Sequence, residues 1–275
     1  MRVLAPTVLV LALIGVFGAA PALADTQSSS NWSGYAVHGG GVRFRSVTGQ
    51  WHVPAVSCTS IDPTYSAMWV GLGGYSADSP ALEQTGTESD CDGYRHPAYT
   101  AWYELVPAPS HGIAMAVHPG DLMRATVGVT GKRVRLTLSD LTRHRSFTRT
   151  ATVSSIDVSS AEWILEAPAA CSSAGSGCTT LPLADFGQAA FSAARATSLS
   201  GRGGAISASR WHTTRITLTG AGRRFVSGGP ALDDGGATPG SLTNQGSSFT
   251  LRYIAASAPP FALDSQVVSS AALRH

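Results

Sequence analysis

The chain has 275 residues; 43% are hydrophobic, enough for a sizeable core, and only 13% are charged, about half the usual share for a soluble protein. Nineteen Lys and Arg against 17 Asp and Glu leave a net charge of +2, and no basic run is long enough to track a phosphate backbone, which excludes a charge-driven nucleic-acid binder. Glu occurs five times and Lys once, at Lys132, so strong helix formers are scarce, while 30 Gly, 15 Pro and abundant Ser and Thr favour short strands joined by turns.

The first element in chain order is an export signal. Arg2 supplies the positive end, Val8–Ala20 the apolar stretch, and Ala22-Leu23-Ala24 a small-x-small cleavage pattern that leaves Asp25 first. The apolar run falls short of the roughly 20 residues a membrane-spanning helix needs, and no later segment is long and apolar enough. The expected product is a secreted, extracellular protein without a membrane anchor. The expected boundaries are a signal peptide over 1–24, one domain over 25–255 and a loose tail over 256–275.

Strands are expected over Val42–Val53, Ser66–Leu72, Tyr99–Val106, Leu122–Val129, Arg133–Leu138, Ser146–Val153, Ala161–Glu166, Thr214–Leu218 and Phe249–Tyr253, where apolar and polar residues alternate or a short apolar run stands between turn signals. Arg202–Ala205 and Val226–Gly240 read as Gly-rich loops. No amphipathic helical stripe is sustained and no fixed repeat occurs. The fold class is therefore all-β, an antiparallel sandwich or barrel.

Export makes the four cysteines, Cys58, Cys91, Cys171 and Cys178, candidates for two disulfides. Three connectivities are open. The favoured one bridges the short Cys171–Cys178 loop and so pairs Cys58 with Cys91. No C-x-x-C or H-x-x-x-H spacing suggests a metal site, and no cofactor is implied.

Absent motifs narrow the chemistry: there is no G-x-S-x-G elbow, H-E-x-x-H helix, P-loop or D-T/S-G triplet. His52, beside Trp51, reads as a surface or half-buried strand residue. Acid–base candidates reduce to Glu83, Glu88, Glu104, Glu162 and Glu166. Strand parity sorts them. Trp102 and Glu104 share one face, with Tyr99, Ala101 and Tyr103 on the other. Glu162, Ile164 and Glu166 share a face opposite Trp163 and Leu165. Leu82 and Gln84 share a face from which Glu83 points away. A Glu among aromatic and aliphatic neighbours gains a raised pKa, which suits a general acid or base; parity does not choose between Glu162 and Glu166.

Seven motifs then carry a resemblance: N-W-S-G-Y (31–35), V-T-G-Q-W-H-V-P (47–54), W-V-G-L-G-G (69–74), Q-T-G (84–86), Y-T-A-W-Y-E-L-V-P (99–107), A-E-W-I-L-E (161–166) and L-P-L-A-D-F-G (181–187). In this order, over Asn31 to Tyr253, the chain resembles the glutamic peptidases, or eqolisins. The resemblance implies a two-sheet antiparallel sandwich of the concanavalin A or lectin-like kind. It implies a catalytic pair, Gln84 and Glu166, and a cleft using Trp32, Trp69, Trp102 and Glu104. It places the family's bridged loop at Cys171 and Cys178. The implied activity is hydrolysis of polypeptides by an activated water, insensitive to pepstatin, without metal or cofactor; a monomer is the default expectation. The chain departs from the fungal members, which have Asp at Gly73 and Thr100 and Leu at Glu83; two acidic supports of the cleft are thus expected to be missing, and a mildly acidic optimum higher than theirs is expected. With only Asp25–Ser30 between the cleavage site and N-W-S-G-Y, no propeptide is expected. The residues leave two other readings: a glycosidase using Glu104 and Glu166 as its carboxylate pair, and a Trp-lined carbohydrate- or peptide-binding sandwich without turnover.

Overall fold

The computed structural model describes residues 24–39, 41–171, 178–219, 223–224, 232–233 and 235–255, with the side chains of 171, 223–224 and 232–233 left aside. The expected signal peptide and tail lie outside them, apart from Ala24. Their regular structure is all strand: β1 Asp25–Ser29, β2 Trp32–His38, β3 Phe44–His52, β4 Ala67–Gly73, β5 Leu82–Cys91, β6 Pro97–Val106, β7 His111–Ile113, β8 Leu122–Thr130, β9 Arg133–Asp140 and β10 Arg145–Thr152 come first. They are followed by β11 Ser160–Glu166, β12 Ala169–Cys171, β13 Cys178–Thr180, β14 Gln188–Ser198, β15 Gly203–Ala205, β16 His212–Leu218, β17 Arg223–Arg224, β18 Leu232–Asp233, β19 Gly236–Pro239 and β20 Phe249–Ile254. No helix of the described residues is long and apolar enough to cross a membrane.

One hydrogen-bonded path runs β10-β9-β8-β3-β14-β20-β19-β16-β2-β11-β4-β5-β6-β7. It folds over at β19, which pairs with β20 over four residues but with β16 only at Leu218↔Ala237. Beyond that hinge β3 and β8 lie against β4 and β5, with which they share no ladder. The result is two antiparallel sheets face to face. One pair departs from the antiparallel rule: β1 docks on β16 in parallel, Asp25↔Thr214 to Ser29↔Leu218.

Alternation builds the core between the sheets. Val127, Leu136 and Leu138 point inward from one sheet and Met68, Val70, Trp163 and Leu165 from the other, all buried. Two indoles tie the layers. Trp51 on β3 donates to Thr87 Oγ1 on β5 at 3.0 Å, and Trp163 on β11 donates to the Thr48 carbonyl on β3 at 2.8 Å. Buried donors left without such partners would each cost about 1–3 kcal/mol.

Each expected strand exists within a few residues. Strand β14 was not expected, because its inward positions are mostly Ala (Ala189, Ala194, Ala196), too small to mark a strand. Strand β2 was hidden because five consecutive residues, Ser33–Val37, are buried and no alternation shows. Two stretches expected as loops contain strands instead: Gly203–Ala205 pairs with β14, and Gly236–Pro239 is the hinge. There glycine is wanted for close packing: a Cβ on Gly204 would lie 2.7 Å from Ala208 Cβ. His52 is exposed, its ring bonded to the Gly120 carbonyl.

Cys58 and Cys91 form a disulfide. Cys171 and Cys178 are register partners across the β12–β13 ribbon, and Cys178 is disulfide-bonded; the loop between them lies outside the described residues.

Candidate active site

The outer face of the β2-β11-β4-β5-β6 sheet carries three cross-strand rows, read from the pairing register. The first is Trp32, Glu166, Ala67, Glu88, Thr100. The second is Gly34, Ile164, Trp69, Gly86, Trp102. The third is Ala36, Glu162, Gly71, Gln84, Glu104. Side chains in register share a face, so Trp32, Trp69, Gln84, Trp102, Glu104 and Glu166, expected from distant motifs, stand together.

The glycines of these rows make room for Trp69. A Cβ on Gly71 would lie 2.9 Å from Trp69 Cζ3 and 3.3 Å from Gln84 Cβ. One on Gly86 would collide with the Met68 carbonyl and lie 2.7 Å from Trp69 Cβ. The indole thus lies flat along the sheet. Its Nε1 donates to Glu166 Oε2 at 2.7 Å, and Trp32 packs on it edge to face at 5.0 Å.

Glu166 is held at both oxygens: Oε2 by Trp69, Oε1 by Asn31 Nδ2 at 3.0 Å. Burial drives its pKa up to about 7; the Trp69 and Trp32 indoles pull it down, the Glu104 charge pushes it up and Asn31 pulls it down. Gln84 donates from Nε2 to Glu104 Oε2 at 2.6 Å. That contact orients the amide and leaves Gln84 Oε1 buried without a partner. Trp102 Nε1 is likewise buried and unpartnered. The face therefore holds one buried acceptor and one buried donor without partners of their own. Burial also raises the Glu104 pKa, opposed by the Gln84 bond, reinforced by Glu88 and opposed by His111.

Glu162, the other Glu of A-E-W-I-L-E, shares this face but is fully buried, and neither carboxyl oxygen has a hydrogen-bond partner. Its pKa lies well above the ordinary value, through burial above all and then the charges of Asp157 and Glu83. Glu83 points to the opposite face, as parity requires, and is pushed up to about 8 by burial and by Asp157. At two of the three departures, Gly73 and Thr100, an acid stands close by. A Cβ on Gly73 would lie 2.7 Å from Asp157 Cβ, so an acid already stands there. Thr100 donates to Glu88 Oε2 at 2.7 Å, so its neighbour supplies the carboxylate.

Sequence reasoning missed Asn31. The N-W motif drew attention to the Trp, and the Asn contact to Glu166 spans 135 residues of chain. Among the described residues no three His, Cys, Asp or Glu are grouped to hold a metal ion.

Residues 30–223 match the Peptidase A4 family. Scytalidopepsin B of Scytalidium lignicola is 31% identical over 171 residues, covering 60% of this chain. The chain spans 62% of that relative's length. Among solved structures, scytalido-glutamic peptidase with a transition-state analog inhibitor superposes with TM-score 0.62 at 23% identity, over 82% of this chain and 98% of that one. SCP-B, described as an eqolisin in complex with the tripeptide Ala-Ile-His, gives 0.56 at 22% identity over the same shares. At these identities the superpositions establish a shared fold.

Proposed function

This chain belongs to the peptidase A4 family, and on that premise we propose that it is a secreted glutamic endopeptidase, cleaving polypeptides with Glu166 as base and Gln84 as the group that holds the water and the oxyanion. The observation that carries the reading is the pairing of opposite environments on one face. Glu166 is clamped with a pKa near 7, while the Gln84 amide is oriented by Glu104 and its buried carbonyl oxygen has no partner of its own.

The steps follow from the donor inventory. Ionised Glu166 takes a proton from a water that Gln84 Oε1 accepts from, and the hydroxide adds to the scissile carbonyl. The second N–H of Gln84 Nε2, not used by Glu104, donates to the oxyanion. Glu166 then passes its proton to the leaving amine as the C–N bond breaks. Acid–base transfer of this kind supplies about 10²–10⁴-fold, and one oxyanion donor about 10²–10³-fold. The base form of Glu166 is lost as pH falls through about 7 rather than through the ordinary Glu value of 4.5. Activity is therefore expected at weakly acidic to neutral pH, with kcat/KM falling on the acid side of about 7.

The test is casein hydrolysis from pH 2 to 8 by the protein beginning at Asp25, with pepstatin and a chelator present. Wild-type turnover that resists both and drops at least about 10³-fold in Gln84→Ala and in Glu166→Gln supports the reading. Folded wild type without turnover at any pH, or a profile peaking below pH 3, refutes it. The glycosidase pairing has less support, since Gln84 occupies the Glu104 carboxyl. We read the two-sheet fold further as a concanavalin A-like, lectin-type sandwich, which the folded-over antiparallel path supports, with a monomer as the working state.

A further inference from the structure

Asn31 stands between β1 and β2, outside both, and is fixed on every polar atom. Its Oδ1 accepts from Ser29 Oγ at 3.3 Å, and its backbone N–H donates to the same hydroxyl oxygen at 3.3 Å. The Trp32 N–H also reaches Ser29 Oγ, at 3.1 Å. The Asn31 carbonyl accepts from the N–H of Ala167, the residue after Glu166, at 2.8 Å. With Oδ1 taken by a hydroxyl, the NH2 end of the amide is turned to Glu166 Oε1. Behind it, β1 is zipped onto β16 over five residues.

We propose that Asn31, held by Ser29 and the docked β1 strand, is a positioning residue that sets the rotation of the Glu166 carboxylate. The proposal rests on the catalytic reading of Glu166. A carboxyl group turns about its terminal torsion in a broad, two-fold well. The Trp69 indole holds Oε2 and the Trp32 indole also acts on the carboxyl; the Asn31 donor on Oε1 adds a hold at the other oxygen and fixes which lone pairs face outward. Misorientation of a base costs rate far more than binding. The donor also favours the ionised form. The other groups acting on Glu166 are the Trp69 indole from β4, the Trp32 indole from β2 and the Glu104 charge from β6; Glu104 in turn feels Glu88 on β5 and His111.

The experiment compares Asn31→Ala, Asn31→Asp, Ser29→Ala and Glu166→Gln by kcat, KM and pH profile on one peptide substrate, with circular dichroism and Tm as fold controls. Asn31→Asp is nearly isosteric but replaces the donor with an acceptor. It is expected to lower kcat about 10–100-fold with KM within about twofold, and to move the acid limb up by at least about half a pH unit. Ser29→Ala, which leaves Asn31 in place, is expected to move the limb the same way by less. Asn31→Ala added to Glu166→Gln is expected to cost nothing more, because the group it positions is gone. Wild-type kcat and limb in both Asn31 variants overturn the proposal. So does a loss that is additive in the Glu166→Gln background. Should Asn31→Asp not fold, Ser29→Ala decides, an unchanged limb counting against. Undiminished turnover in Glu166→Gln alone would instead remove the catalytic reading on which the proposal rests.

Discussion

Gly71 and Gly86 show at residue scale how a motif letter becomes geometry. Each leaves the space that the Trp69 indole fills, and they fail differently. The obstacles at Gly71 are side chains of Trp69, Leu82 and Gln84, which can move; at Gly86 the obstacle includes the backbone carbonyl of Met68. Gly71→Ala is expected to keep stability within about 1–2 kcal/mol yet lower kcat roughly tenfold, since the displaced indole loses its bond to Glu166. Gly86→Ala is expected to cost about 3 kcal/mol or more, read as a lowered urea midpoint. Glu83 gives a prediction of opposite character. Its proton is held more tightly in the fold, with a pKa of about 8, than in the unfolded chain, near 4.5. Its contribution to stability is thus complete below about pH 4.5 and drains away as pH rises through about 8. Thermal scans from pH 4 to 9 are expected to show Tm falling across that window, and Glu83→Leu is expected to flatten the fall; an identical slope in the variant would show that Glu83 does not titrate there.

At the scale of elements, the Cys58–Cys91 bridge ties the segment before β4 to the end of β5, closing a loop of sequence separation 33. Loop-closure entropy for that length is about 4 kcal/mol. The double variant Cys58→Ser, Cys91→Ser is therefore expected to melt roughly 10 °C lower while retaining activity at 25 °C, measured by calorimetry and peptide turnover. The elements legible in the sequence were those whose inward positions are bulky and alternate, such as β3, β8 and β9. Strands β2 and β14 were not, because burial on both faces erases alternation and Ala carries little hydrophobic signal. Parity alone put Gln84, Glu104 and Trp102 on definable faces, and the register agrees. It left Glu162 and Glu166 tied, because residues four apart on a strand share a face. What separates them is depth: Glu162 is sealed under the sheet surface with no partner, and Glu166 stays partly open with two. Asn31 was illegible because its contact to Glu166 joins segments 135 residues apart in the chain.

For the whole molecule, the folded-over ladder leaves β10 and β7 as the ends of its main path. β7 is three residues long and β10 carries Arg145 and Arg149, both devices that discourage pairing with other chains. The order of strands matters more than the ends. Strand β20, the last described, lies between β14 and β19 in the middle of the path, not at an edge. Phe249 and Leu251 from it are fully buried, against Phe191 and Tyr35 among others. A chain stopped before Phe249 is accordingly expected to give no cooperative unfolding transition and no turnover, by calorimetry and peptide assay. The same topology has a meaning in time. Glu166 and Gln84 are synthesised long before Phe249, yet the two sheets are not joined through their hydrogen-bonded path until β20 stands between β14 and β19. At about 5–20 residues per second, the ribosome spends several seconds on the stretch between Glu166 and β20. Throughout that interval a nascent chain carries Gln84 and Glu166 without the completed path β14-β20-β19-β16-β2. The order of the strands thus acts as a clock that delays closure of the strand path until nearly all of the described chain has been made.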